Sequence, residues 1–251
     1  MSLYASIMLA TGALAGGFIN GLAGFGTALF ALGWWLAILP PEEAVTMVVI
    51  MSLVSGIYGL REISHSIQPA RLARYVVPAL IGLPFGMASL ALVNVLILKI
   101  IVGCLLILFG GYSILRRRMP NITATYWRID ICIGGIGGIL GGLAGLSGAI
   151  PTMWVTLHDW AKAERRAVLQ PFNMIILGCV LIVFLIQGMM TMHVLFMALL
   201  ALPFTVLGAR LGIMLYRRVN DKQFLQIIIW LILISGLVLV SRELAQWLRF
   251  G

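Results

Sequence analysis

Charge is scarce in this sequence. Asp, Glu, Lys and Arg make up 10% of its 251 residues, against about 25% in an ordinary soluble domain. Nor is there any polar stretch long enough to build a second, water-exposed domain. Both absences exclude a soluble fold. Acidic residues number only 8, and Glu42, Glu43, Glu62, Asp130, Asp159, Glu164, Asp221 and Glu243 all fall at the ends of apolar runs or between them. No carboxylate is expected at mid-bilayer depth, where a coupled pump usually keeps one on its ion path. Cysteine is limited to Cys104, Cys132 and Cys179, an odd number without metal-ligand spacing. Each lies in an apolar run, which predicts buried, inert thiols. The first ten residues, MSLYASIMLA, hold no Lys or Arg. This argues against a cleaved signal peptide and predicts that the start belongs to the mature fold.

What the chain does have is hydrophobicity, at 62% of residues with a mean hydropathy of +1.09. Apolar runs of about twenty residues recur from end to end, as transmembrane helices require. Complete spans are predicted at 43–60, 71–92, 95–115, 165–187, 192–215 and 223–241. The segments 3–39 and 129–157 are equally apolar but broken by glycines, and Asn94 marks a tight turn. At an offset of 121, Gly16, Gly17, Gly21, Leu22, Ala23, Gly24 and Ala28 meet identical residues. Later LPF at 83–85 meets LPF at 202–204. Two matches in the same order predict an internal repeat, as many transporters have. The halves run 1–116 and 129–251, joined by a basic linker at 117–128, within one membrane domain.

Basic residues decide the orientation. Loops at 61–74, 116–128, 158–166 and 217–222 carry 13 of the 17 Lys and Arg residues. The turns at 40–43, 93–94 and 188–191 carry none. Positive charge stays on the cytoplasmic side, so the net charge of +9 reflects topology and no nucleic-acid partner is expected. All four basic loops can be cytoplasmic only if 129–157 enters and leaves on one side. A straight helix of that length would be about 43 Å, too long for a core of about 30 Å. Folding back at the glycines gives two half-helices of about 20 Å each. The expected fold is therefore an all-α integral membrane protein of two inverted repeats. Each repeat is a glycine-broken hairpin plus three transmembrane helices, and both termini lie outside the cytoplasm. The rival is eight simple spans in two parallel sets of four, which needs one pair of basic loops outside.

The glycines suggest why the hairpins exist. A broken helix at membrane depth exposes backbone polar groups, tolerated only in protein or beside a wet cavity. A half-helix start offers unpaired N–H groups and about half a positive charge, an anion site in outline. GLAGFGT and GLAGLSG would supply two such starts meeting near the midplane, with Thr27 and Ser147 adding hydroxyl donors. Gln170 and Asn173, three apart on one helix face, add amides, and Pro171 frees a carbonyl between them. Candidate substrate contacts are thus Asn20, Gly24, Gly26, Thr27, Gly145, Ser147, Gly148, Gln170 and Asn173. Gly12, Gly16, Gly134 and Gly138 read instead as close helix packing, and Trp34–Trp35 as an interfacial aromatic belt.

The paired GLAGFGTALFAL and GGLAGLSGAIP segments, with the LPF repeat, resemble the sulfite exporter TauE/SafE family of anion permeases over nearly the whole chain. That resemblance implies a transporter of small sulfur-containing anions such as sulfite and organosulfonates. The function expected is export across the inner membrane by a multi-pass protein, with a small anion and the bilayer as partners. A membrane potential of about 100 mV, negative inside, favours exit of a monovalent anion by about 2.3 kcal/mol. No cofactor or metal is expected. An enzyme is disfavoured, since no paired Asp, HExxH or Ser–His dyad lies in the spans. An importer of thiosulfate or carboxylates, a non-transporting membrane subunit and a homo-oligomer stay open as alternatives.

Overall fold

The computed structural model describes residues 2–89, 95–115, 122, 126–144 and 146–250. Asn94, Gly145 and most of the linker 117–128 therefore lie outside the described residues. The structure is all-helical, 87% helix, and holds no strand among the described residues. The elements are α1 (Leu3–Ala23), α2 (Thr27–Trp35), α3 (Pro41–Ile63), α4 (Pro69–Ala88), α5 (Val95–Leu115), α6 (Trp127–Ala144), α7 (Ala149–Thr156), α8 (Lys162–Ile186), α9 (Met192–Arg218) and α10 (Asp221–Phe250). Among the described residues, six stretches, 3–23, 42–66, 97–115, 162–186, 192–218 and 221–241, are long and apolar enough to cross a membrane. The expected span at 71–92 corresponds to α4, which is not among the six; its opening PARLARY carries Arg71 and Arg74.

Two compact units form, Met1–Ile67 with Gln170–Val219, and Gln68–Leu169 with Asn220–Gly251. Each draws helices from both sequence halves. In the first unit α1 packs mainly on α9, with α2 and α3 beside it. Gly17 lies against the Thr205 backbone and Gly21 against Ala209, so α1 and α9 run in the same direction. Gly208 and Gly212 on α9 answer by receiving the backbone of Leu14 and Phe18. In the second unit α6 packs on α4 in the same manner. Gly138 meets Ala79, Gly142 meets Leu83, and Gly82 and Gly86 receive Gly135 and Ile139. Without Cβ atoms the backbones can touch, which is how membrane helices gain dispersion contact where lipid removes the hydrophobic drive.

These contacts set a register that the sequence match missed. Gly82 and Gly86 play the part of Gly208 and Gly212, an offset of 126, whereas the LPF match has an offset of 119. The LPF tripeptides are therefore two helical turns out of packing register. Gly103 faces Gly236 and Val240, while Gly110 faces Leu233; α5 and α10 run antiparallel.

Hairpin arms differ from expectation as well. The arms are unequal, 21 and 9 residues in α1 and α2, or about 31 and 14 Å. In the second unit α6 and α7 have 18 and 8 residues. The first break falls where Gly24 and Gly26 allow reversal, not at the middle of the apolar segment. Trp35 leaves the expected aromatic belt. It is fully buried among Leu9, Ala13, Met47 and Met51, with its indole N–H donating to the Leu9 carbonyl at 3.2 Å. Trp34 stays exposed. The cysteines also depart from expectation, since Cys104 and Cys132 are exposed on helix surfaces and Cys179 is half-buried. Helices apolar all round do not tell a lipid-facing side from a buried one.

Candidate functional site

The first elbow is built by two glycines. Helix α1 ends at Gly24, whose φ of 83° is left-handed and whose N–H closes on the Asn20 carbonyl at 2.7 Å. This is an αL cap. Gly26 repeats the left-handed conformation, φ 94°, immediately before α2. Any other residue at either position would carry a penalty of about 1–2 kcal/mol. Two left-handed residues in three reverse the chain, and α2 starts with no side chain capping its N–H groups. Thr27, the first residue of α2, is buried, and its hydroxyl has no hydrogen-bond partner.

Asn20 sits one turn before the elbow and is 1% exposed. Its side-chain NH2 donates to the Ser52 carbonyl at 2.9 Å and to the Ser55 hydroxyl at 2.6 Å. Gln170 is fully buried, and its NH2 donates to the Gly56 carbonyl at 2.6 Å. One stretch of α3, Ser52–Gly56, thus receives amides from both α1 and α8. Asn173 is half-buried on α8. Asn20, Gly24, Gly26, Thr27, Gln170 and Asn173 all belong to the first unit.

Ser147 and Gly148 belong to the second unit, in the turn between α6 and α7; Gly145 lies outside the described residues. The turn closes through the Leu146 N–H on the Leu140 carbonyl, 3.2 Å, and the Ala149 N–H on the Leu146 carbonyl, 3.2 Å. Gly148 has an ordinary φ of −82°, so the reversal does not need glycine there. Ser147 is buried and hydrogen-bonded or in polar contact. Pro151 stands in the first turn of α7, where its missing N–H leaves no helical bond unmade.

A polar cluster that sequence reading passed over lies in the second unit. Asp130, in the first turn of α6, is 3% exposed. One carboxylate oxygen accepts from the Tyr75 hydroxyl at 2.7 Å and from the Trp154 indole N–H at 2.8 Å. The other lies 3.8 Å from the Arg74 guanidinium. An acid in a helix's first turn is ordinarily a dipole-compensating residue, and that bland pattern concealed its burial. Trp154 leads on to His158, whose ring lies edge-on at 4.9 Å and whose Nδ1 is 3.0 Å from the Trp154 carbonyl. His158 also lies against Trp160, over which Arg71 stacks at 4.1 Å. Among the described residues, no three His, Cys, Asp or Glu side chains gather as a metal site.

Burial pushes the His158 imidazole below its usual value, against the pull of the Trp154 carbonyl and Asp130; Arg71 and Arg165 push it further down. The folded state thus binds fewer protons at His158 than the unfolded state. Stability from this group is full above about pH 6.5 and falls as pH drops from there through the lowered folded value. His158→Asn, which cannot titrate, is expected to flatten this acid limb of a thermal-melting profile; an unchanged limb would place the titration elsewhere.

Residues 8–239 match the family model described as Sulfite exporter TauE/SafE. No curated protein and no solved structure matches the chain.

Proposed function

Because the chain belongs to the sulfite exporter TauE/SafE family, a family of membrane anion transporters, we propose that it exports sulfite or organosulfonates across the inner membrane. It is a multi-pass integral membrane protein whose partners are a small anion and lipid. The direction follows from electrostatics: a potential negative inside expels a monovalent anion without a partner ion. The observation that carries the site is the first elbow. There a helix start with no side-chain cap and the unpartnered, buried Thr27 hydroxyl present donors. Such donors are strong anion ligands because little competes with them. Gly24 and Gly26 shape this elbow, and Ser147 and Gly148 stand in the turn that is its counterpart in the second unit. Gln170 and Asn173 contribute amides from α8.

Inversion of the two halves is part of this reading. Helices α5 and α10 close the two halves, and their antiparallel contact in the second unit supports a repeat that runs oppositely through the bilayer. A repeat in parallel sets would bring them together in the same direction. Both termini then lie outside the cytoplasm, and a reporter fused after Gly251 should register there.

Sulfite flux in proteoliposomes tests the function. The intact protein is expected to carry sulfite down an imposed voltage, and Thr27→Val, which keeps the shape but removes the hydroxyl, should slow it by about tenfold. Flux that ignores voltage and demands a proton gradient would reject uncoupled export.

A further inference from the structure

We propose that the first elbow selects an oxyanion still carrying one hydroxyl, such as hydrogensulfite, over one with no proton to give. This rests on the reading of that elbow as an anion contact, and it narrows the ligand.

The argument starts from the orientation of Asn20. The Ser52 carbonyl oxygen at 2.9 Å has no hydrogen, so the amide nitrogen, not the amide oxygen, must face it. The Ser55 hydroxyl directs its own hydrogen to the Met51 carbonyl at 2.7 Å and can only accept from Asn20 at 2.6 Å. Both amide hydrogens are therefore committed to α3. What remains is Oδ1, a pure acceptor, buried and without a partner. A buried acceptor left unpaired is costly, and native structures keep few of them.

Packing and helical spacing put the Asn20 position near the start of α2. Gly12 on α1 faces Trp35, and Gly16 faces Ala31 and Thr27. The two arms are antiparallel, with one stripe of α1 running along α2 toward its start. Asn20 is the next position on that stripe, four residues beyond Gly16, and so falls just past the first residue of α2. There the uncapped N–H groups of α2 and the unpartnered Thr27 hydroxyl are all able to donate. The elbow thus sets several donors and one fixed acceptor around the same end of a nine-residue helix.

A fully deprotonated oxyanion satisfies the donors but turns lone pairs toward Oδ1. A cation satisfies Oδ1 but faces the positive end of α2. An oxyanion with one O–H meets both, giving its hydrogen to Asn20 and accepting from Thr27 and the helix amides. Binding is a plain hydrogen-bonded association with no group transferred.

Binding of sulfite and of methanesulfonate to the purified protein, measured by calorimetry from mildly acid to mildly alkaline pH, tests this. Methanesulfonate bears the same single charge as hydrogensulfite but no hydroxyl. Sulfite affinity should follow the hydrogensulfite fraction and fall about tenfold per pH unit on the alkaline side, while methanesulfonate affinity stays flat with pH, about tenfold below that of sulfite at the acid end. Asn20→Leu should erase the difference between the two anions. Ser55→Ala, which keeps Asn20 but frees half its restraint, should narrow the difference in a protein with its fold intact. Equal affinities in the wild type, or sulfite binding indifferent to pH, would overturn the inference and leave the anion site standing. Sodium-dependent, pH-indifferent binding would overturn it too, by assigning Oδ1 to a cation. If neither anion binds and Thr27→Val leaves flux unchanged, the anion site itself falls, and the inference with it.

Discussion

Gly138→Val is expected to lower the stability of the detergent-solubilised protein by about 3 kcal/mol or more, with a matching loss of folded protein in membranes. Even the first carbon of a side chain at Gly138 would overlap the Ala79 carbonyl oxygen and stand 2.5 Å from the Ala79 Cα. The obstacle is backbone, which has no rotamer to change, so α4 and α6 must separate along their whole seam. The same holds at Gly212, where an added carbon would meet the Phe18 carbonyl and stand 2.7 Å from the Leu22 nitrogen. Gly111 supplies the control. Nothing lies within 4 Å of a carbon placed there, and Gly111→Ala should be neutral or stabilise by about 0.5–1 kcal/mol through helix propensity. Thermal unfolding of the variants side by side separates the two. Equal losses at Gly138 and Gly111 would mean that glycine content, not contact, is what the seam requires.

Asp130→Leu should cost about 3–5 kcal/mol, the range for removing one partner from a buried polar group with several dependants. The carboxylate serves one buried and one half-buried donor, and Leu would leave the Tyr75 hydroxyl and the Trp154 indole N–H without an acceptor. Tyr75 is fully buried, so water does not replace what is lost. Asp130→Asn keeps an accepting oxygen and gives up only the charge opposite Arg74, which is 3.8 Å away and 34% exposed; about 1 kcal/mol is expected there. Combining Asp130→Leu with Tyr75→Phe should cost less than the two singles together, because the second change removes a donor that the first orphaned. Full additivity in melting experiments would show that Tyr75 and Asp130 do not act as a pair. Trp154 ties this cluster to α7, so its loss should also loosen the second elbow.

Much of the first elbow was legible from residues alone. Gly24 and Gly26 stand close together in an apolar run, and a run that long cannot be one straight helix in a bilayer. Both adopt left-handed backbone, which favours glycine for steric reasons that composition already signals. Gly148 also stands beside a turn, yet its φ is one that any residue adopts. The polarity of Asn20 was visible, but its direction was not. An amide offers donors and an acceptor, and only the carbonyl of Ser52, thirty-two residues away, fixes which end is free.

The sequence by itself determined the solvent and the helical class. Hydropathy and glycine spacing act locally, within about twenty residues, and the bilayer leaves the backbone no other way to pair its polar groups. Only the tertiary structure decided which helices meet. The exchange of α4 and α9 between sequence halves, the two-turn correction to the LPF register, the inward turn of Trp35 and the burial of Asp130 all depend on long-range contacts. In a chain apolar on nearly every face, hydrophobicity does not choose among partners. Backbone-to-backbone fit at Gly17, Gly21, Gly138 and Gly142 does, and that fit exists only once both helices are in place.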